Sequence, residues 1–166
     1  MAVTGATPFL WFDEAALDAA ELYVSCFPDS RITSTSFYPD GGQKPAGTPL
    51  VVEFELFGRP FAALNGGPQF PHSEAVSFQV SCDTQEELDR IWFTLIRDGG
   101  SESQCGWCRD RFGVSWQVTP RRLGEFLGDP DPTVAQAAWS AMMTMSRIDI
   151  AAIEAACQAA RAGRDA

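Results

Sequence analysis

Alternation of apolar and polar residues is clearest between residues 50 and 57, where Val52, Phe54 and Leu56 are interleaved with Glu53 and Glu55. A period of two describes a strand with one buried and one open face. Further strand-like runs cover Arg31–Tyr38 and Pro60–Leu64, and the intervening PDGGQKPAGTP at 39–49 is dense in turn residues. Ahead of them a short apolar run, Pro8–Phe12, leads into a helical pattern: Ala16, Ala20, Tyr23 and Phe27 recur at three- and four-residue spacing. Asp13 is placed to cap that helix and Pro28 to stop it.

The second half repeats the order. Ala75–Cys82 is predicted as a strand with Val76, Phe78 and Val80 on one face and Ser77, Gln79 and Ser81 on the other. The helix after it opens on a capping-box pattern, Thr84 with Glu87, carries the stripe Leu88, Ile91, Trp92 and Leu95, and ends at Gly99-Gly100. Strand-like runs follow at Glu102–Trp107 and Val114–Pro120. Beyond Gly128-Asp129-Pro130 the pattern predicts helices over Thr133–Met145 and Asp149–Ala162. Asp13 and Asp83 mark equivalent strand-to-helix junctions 70 residues apart. Phe57-Gly58 and Phe112-Gly113 each head a last strand and lie 55 apart. The chain therefore reads as α+β, one strand-helix-three-strand unit used twice. Each copy leaves a sheet face uncovered, so the copies pair with each other or across a dimer.

Charge narrows the partners. The 166 residues hold 12 Lys+Arg against 22 Asp+Glu, a net charge of −10. Nucleic acid and anionic membrane surfaces both call for a basic face, so neither is expected. No run reaches the roughly 20 apolar residues of a membrane span. The opening MAVTGATPFLWFDEAA has no basic start, which argues against a signal peptide. Five cysteines in no regular framework fit a reduced, cytoplasmic protein. A single histidine excludes any centre that needs two.

Particular strings add to this pattern: FLWFD at 9–13, LYVSCFPDS at 22–30, ALNGGP at 63–68, QCGW at 104–107, DRFGVSWQVTP at 110–120, and the tail GDPDP at 128–132 with AMMTMSRIDIAAIEAA at 141–156. With them the chain resembles the PhnB-like branch of the vicinal oxygen chelate (glyoxalase/bleomycin resistance/dioxygenase) superfamily over nearly its whole length. The resemblance implies two tandem βαβββ modules, about 7–66 and 74–120 within 1–128, forming a cleft-bearing curved mixed sheet. Two C-terminal helices over 129–166 complete one functional domain, and a homodimer is implied as well. Enzymes of the superfamily hold a metal through His or Glu on four strands. The matching positions here are Pro8, Ala62 or Ala63, Ala75 to Ser77, and Gln117, and shifting the match recruits only Glu74 and Asn65. Divalent ions bind deprotonated carboxylates, imidazoles or thiolates, so neither a metal nor another cofactor is expected. Members of this branch often carry the name 3-demethylubiquinone 3-methyltransferase. Asn65-Gly66-Gly67-Pro68 runs into Gln69-Phe70-Pro71 and not into a helix, so the residues give that activity no Gly-rich cofactor turn.

Candidate residues then fall into groups. Ser77, Gln79 and Ser81, and Ser115, Gln117 and Thr119, form polar rows that are either a solvated sheet face or the wall of a neutral hydrogen-bonding pocket. Cys105 and Cys108 form a CxxC without a helix end to acidify a thiol, so Cys105 reads as a buried or cleft-lining residue. Trp11, Phe70 and Trp107 are either aromatic walls or core, and Asn65 with Phe70 is placed at a lid. Glu53, Glu55 and His72 are the groups able to carry a proton. Trp139, Met142, Met143 and Met145 form either a partner face or helix packing. The expectation is a protein that binds a small polar or aromatic metabolite through Asn65, Phe70, Ser77, Gln79, Cys105, Trp107 and Gln117 without a catalytic metal. The alternative is a metal-independent or metal-assisted lyase, isomerase or transferase using Glu53, Glu55 or His72.

Overall fold

The computed structural model describes residues 5–163, so residues 1–4, where the reading of the N-terminus begins, lie outside it. The chain divides into two compact units, Met1–His72 and Ser73–Ala166, and the second includes the C-terminal helices. Among the described residues each unit holds one four-stranded sheet.

The first unit contains β1 (Phe9–Phe12), α1 (Ala16–Cys26), β2 (Arg31–Phe37), β3 (Pro49–Leu56) and β4 (Arg59–Asn65), with sheet order β1-β4-β3-β2. β1 runs parallel to β4 and the other neighbours are antiparallel. The alternation of β3 is realised: Val52, Phe54 and Leu56 are buried, as are Ala16, Ala19, Ala20 and Tyr23 of α1, which packs chiefly on β3. Each such large side chain contributes about 1.5–3 kcal/mol by leaving water. β3 turns into β4 through Phe57-Gly58, both in the left-handed region (φ 52° and 70°), the backbone of a two-residue type I′ hairpin.

The start of α1 departs from expectation. Asp13 does not cap it; that residue faces Lys44, and the N-cap position is Ala15, without a side-chain cap. The missing acceptor comes from β4. Asn65 Oδ1 accepts from Ala16 N at 2.8 Å, Asn65 Nδ2 donates to Pro49 O at 2.9 Å, and Asn65 O accepts from the Tyr38 hydroxyl at 2.7 Å. Asn65 is therefore a buried strut between helix, sheet and loop, and not a lid residue.

The second unit contains β5 (Ser77–Cys82), α2 (Gln85–Ile96), β6 (Ser101–Glu102), β7 (Trp107–Arg109), β8 (Ser115–Pro120), α3 (Leu123–Leu127), α4 (Pro132–Met142) and α5 (Ile150–Ala162). Its sheet order is β5-β8-β7-β6, with β5 parallel to β8. All four stripe residues of α2 are buried, together with Val80, Cys108, Trp116 and Val118. Thr84 Oγ1 accepts from Glu87 N, while Glu87 Oε2 reaches back to Asp83 N, one residue beyond the reciprocal partner expected.

Three expectations need correction here. Glu102–Trp107 is not a strand but a hairpin: Cys105 and Gly106 have φ of 57° and 84°, and Trp107 N donates to Gln104 O. The strand beginning at Ala75 starts instead at Ser77, and Val76 is 69% exposed. A third, short helix, α3, precedes the two that were expected. The repeat itself is sharper than expected. Phe12 pairs with Asn65 and Cys82 with Pro120, positions 70 and 55 residues apart respectively.

The tail is fastened to the second unit by polar contacts. Cys105 N and Gly106 N donate to Met145 O and Ser146 O, both at 2.7 Å. The Gln85 side chain accepts from Ile150 N and donates to Ile148 O, and Arg147 pairs with Asp89. Asn65→Ala is expected to lower unfolding stability by about 1–3 kcal/mol, since it strands the buried Ala16 N–H and the part-buried Pro49 carbonyl. Asp13→Ala should change stability by less than about 0.5 kcal/mol, as for other surface substitutions. Urea titration followed by circular dichroism checks both; equal effects would contradict the assignment of the cap to Asn65.

Candidate functional site

In the second sheet the parallel register sets Ser77, Gln79 and Ser81 opposite Ser115, Gln117 and Thr119. On the other side of β8, Arg109 pairs with Ser115 and Trp107 with Gln117. Because side chains alternate, these residues share the face turned away from α2, whose own face takes Phe78, Val80, Trp116 and Val118. Neutral hydrogen bonds cross the face diagonally. Gln117 Nε2 donates to Ser77 Oγ at 2.8 Å, and Gln79 Nε2 donates to Thr119 Oγ1 at 3.1 Å. Both amides are thereby oriented, and each keeps its carbonyl oxygen as an acceptor.

At the β6 end of this face lies a cavity of about 140 Å³ lined by Glu74, Ser101, Ser103, Trp107, Arg109 and Ser115, together with Glu102 and Cys108. A larger hollow of about 350 Å³ lies at the starts of α2 and α5. Its polar groups already serve one another: Thr84 and Asp149 cap the two helices, Arg121 pairs with Asp83, and Arg122 pairs with Glu125 and Glu154. The Arg121 hydrogen bond holds the Asp83 carboxyl below its ordinary range.

The remaining candidates sit as follows. Trp11 and Phe70 meet edge to face at 5.0 Å in the first unit, with Phe70 64% exposed. Glu53 accepts from Ser34 Oγ at 2.7 Å, Glu55 pairs with Arg31 at 2.8 Å, and the His72 ring packs on Phe12 at 4.9 Å. The Cys105 thiol is 3.7 Å from Met142 O and 3.6 Å from Met143 Sδ, whereas Cys108 is buried under α2. None of the five cysteines is joined in a disulfide. On α4, Met142 is buried while Trp139 stays half exposed.

Sequence reasoning missed Arg109 and Asp110 and left Ser115 in a row without distinguishing it. Asp110 is buried, and its carboxylate accepts from Phe112 N, Val114 N and Trp116 Nε1 at 2.9–3.1 Å, fixing the entry of β8. An acid opening a four-residue turn that ends in Gly113 was the available signal for such a role.

βαβββ modules in tandem, each with its first strand parallel to its last and one face sealed by a helix, define the vicinal oxygen chelate fold. The chain belongs to the PhnB-like family of that superfamily: residues 4–119 match the family described as 3-demethylubiquinone-9 3-methyltransferase. It is similar to the PhnB protein of Bacillus cereus, which carries that same name, at 31% identity and a TM-score of 0.65, over 70% of this chain and 99% of that one. A Pseudomonas aeruginosa protein (19%, TM-score 0.57, 71% and 98%) and an Arabidopsis thaliana gene product (18%, 0.51, 72% and 100%) share the fold. No curated protein matches the chain. Among the described residues no helix is long and apolar enough to cross a membrane.

Two inherited expectations can be tested against the residues. The metal of the superfamily's enzymes does not fit: the matching positions are Pro, Ala, Ser and Gln, and the Gln117 amide nitrogen is bonded to Ser77. Among the described residues no three His, Cys, Asp or Glu side chains gather as a metal-holding group. The Gly66-Gly67 pair serves packing. A Cβ at Gly66 would lie 2.3 Å from the Trp11 ring, and Gly67 O accepts from Trp11 Nε1. Protein purified without chelator is expected to carry far less than stoichiometric Zn, Ni, Mn or Fe by plasma mass spectrometry. A full equivalent that Gln117→Ala removes would contradict the donor-set argument.

Proposed function

We propose that this PhnB-like protein binds a small polar or aromatic metabolite on the polar face of its second sheet, without a catalytic metal. The observation that carries the reading is the crossed pair of neutral bonds, Gln117 to Ser77 and Gln79 to Thr119, beside the half-buried Trp107. Amides and hydroxyls fixed in this way orient a ligand by hydrogen bonds, and an aromatic flank supplies apolar contact. They lack the pKa to exchange protons near neutrality, so the face is suited to holding a ligand more than to acid–base turnover. Cys105 lines the neighbouring hairpin, and Phe70 with Trp11 is a second aromatic surface in the first unit. The self-association implied by the family resemblance belongs to the same proposal.

A metabolite panel screened by thermal shift identifies the ligand, since a ligand at about 100 times its Kd stabilises the native state by roughly 2.7 kcal/mol. Gln117→Ala is expected to weaken that ligand by about fivefold to tenfold, the value of one buried hydrogen bond, with Glu53→Gln unchanged. The ligand should be recovered unaltered. Conversion of the ligand that Glu53→Gln abolishes, with Gln117→Ala retaining affinity, would overturn the reading.

A further inference from the structure

We infer that the 140 Å³ cavity at the β6 end of this face receives an anionic oxyacid group, carboxylate or phosphonate, with Arg109 as its counter-ion and Ser115 as its buried donor. The inference rests on the binding reading above and assigns the charge class of the ligand.

Register brings the parts together. Ser101 pairs with Arg109 and Arg109 with Ser115, so three strands place one guanidinium and two hydroxyls in a single row. Ser115 is 2% exposed, and its Oγ has no hydrogen-bond partner among the described residues. Native proteins seldom leave a buried hydroxyl unpaired, so such a group in a cavity wall marks a missing partner. Arg109 differs from its neighbour Arg111, which pairs with Asp98; Arg109 has no carboxylate within ion-pair distance among the described residues. A free guanidinium presents a planar fork of donors that matches carboxylate and phosphonate oxygens. The volume is close to that of a cavity that holds a benzene-sized molecule, and Trp107 supplies the apolar wall.

Two acids also line the cavity and act in different ways. Glu102 pairs across the ladder with Cys108, the residue facing α2, and its Oε1 accepts from Trp92 Nε1 at 3.3 Å. Glu74, on the exposed loop before β5, opposes an incoming anion. Its removal should therefore strengthen anion binding.

The test uses benzoate, phenylphosphonate and benzamide, three probes with one ring and different headgroups, titrated calorimetrically at constant ionic strength. Wild-type protein is expected to favour at least one anion over benzamide by about tenfold, and the better anion identifies the headgroup. Arg109→Gln should erase that preference while leaving benzamide binding in place, and Glu74→Gln should raise anion affinity severalfold. Equal binding of anion and amide, or a preference that survives in Arg109→Gln, would overturn the charge assignment and leave the binding reading standing. Failure of all three probes to bind the wild type would overturn the cavity as a site, while the metabolite screen separately decides the reading it rests on.

Discussion

The pairing of each module's first strand, in parallel, with its last is the constraint from which the rest follows. It fixes the phase of two strands at once, and a helix then seals whichever face that phase makes apolar. A slip of one residue between β5 and β8 would point Trp116 and Val118 outward and drive Gln117 and Thr119 into α2. Asp110 guards against that slip. Its buried carboxylate holds the turn into β8 through two backbone amides and holds the phase of β8 through the Trp116 indole. Asn65 performs the corresponding service in the first unit, joining the end of β4 to the start of α1.

The same constraint makes the two modules chemically unlike. Offsets of 70 and 55 residues, read from the paired strand ends, equate Phe9 with Gln79 and Ala62 with Gln117. They also equate Trp11 with Ser81 and Leu64 with Thr119. At these equivalent positions the first sheet turns aromatic and aliphatic groups away from its helix, beside Glu53 and Glu55 of β3, and the second turns hydroxyls and amides. The two modules share strand order and an apolar, helix-sealed face, and differ in the open face. Polar chemistry is therefore concentrated in the second unit, and the glutamates of the first are engaged by Ser34 and Arg31.

Much of this was legible from the chain because it rests on period and local signals. The alternation of β3, the stripe of α2, the Thr84 cap and the two repeat offsets all follow from neighbours in sequence. What escaped depends on residues far apart in the chain. Asn65 caps a helix 49 positions away, and no local spacing announces that. The Cys105-Gly106 turn was hidden in an apparently continuous strand because a cysteine rarely adopts positive φ, although Gly106 was a warning. Arg109 gained its importance from lacking a partner, which only packing reveals. The polar rows were visible as rows; their hydrogen-bonded order and the orphaned Ser115 hydroxyl were not.

Binding of ligand to the polar face of the second sheet is the central proposal. Nuclear magnetic resonance of ¹⁵N-labelled protein, titrated with the strongest hit from the metabolite screen, tests it directly. The side-chain amides of Gln79 and Gln117 and the indole of Trp107 are predicted to shift most. Shifts confined to Glu53, Glu55 and Trp11 in the first sheet, or to Arg121, Arg122 and Glu154 around the larger hollow, would contradict it.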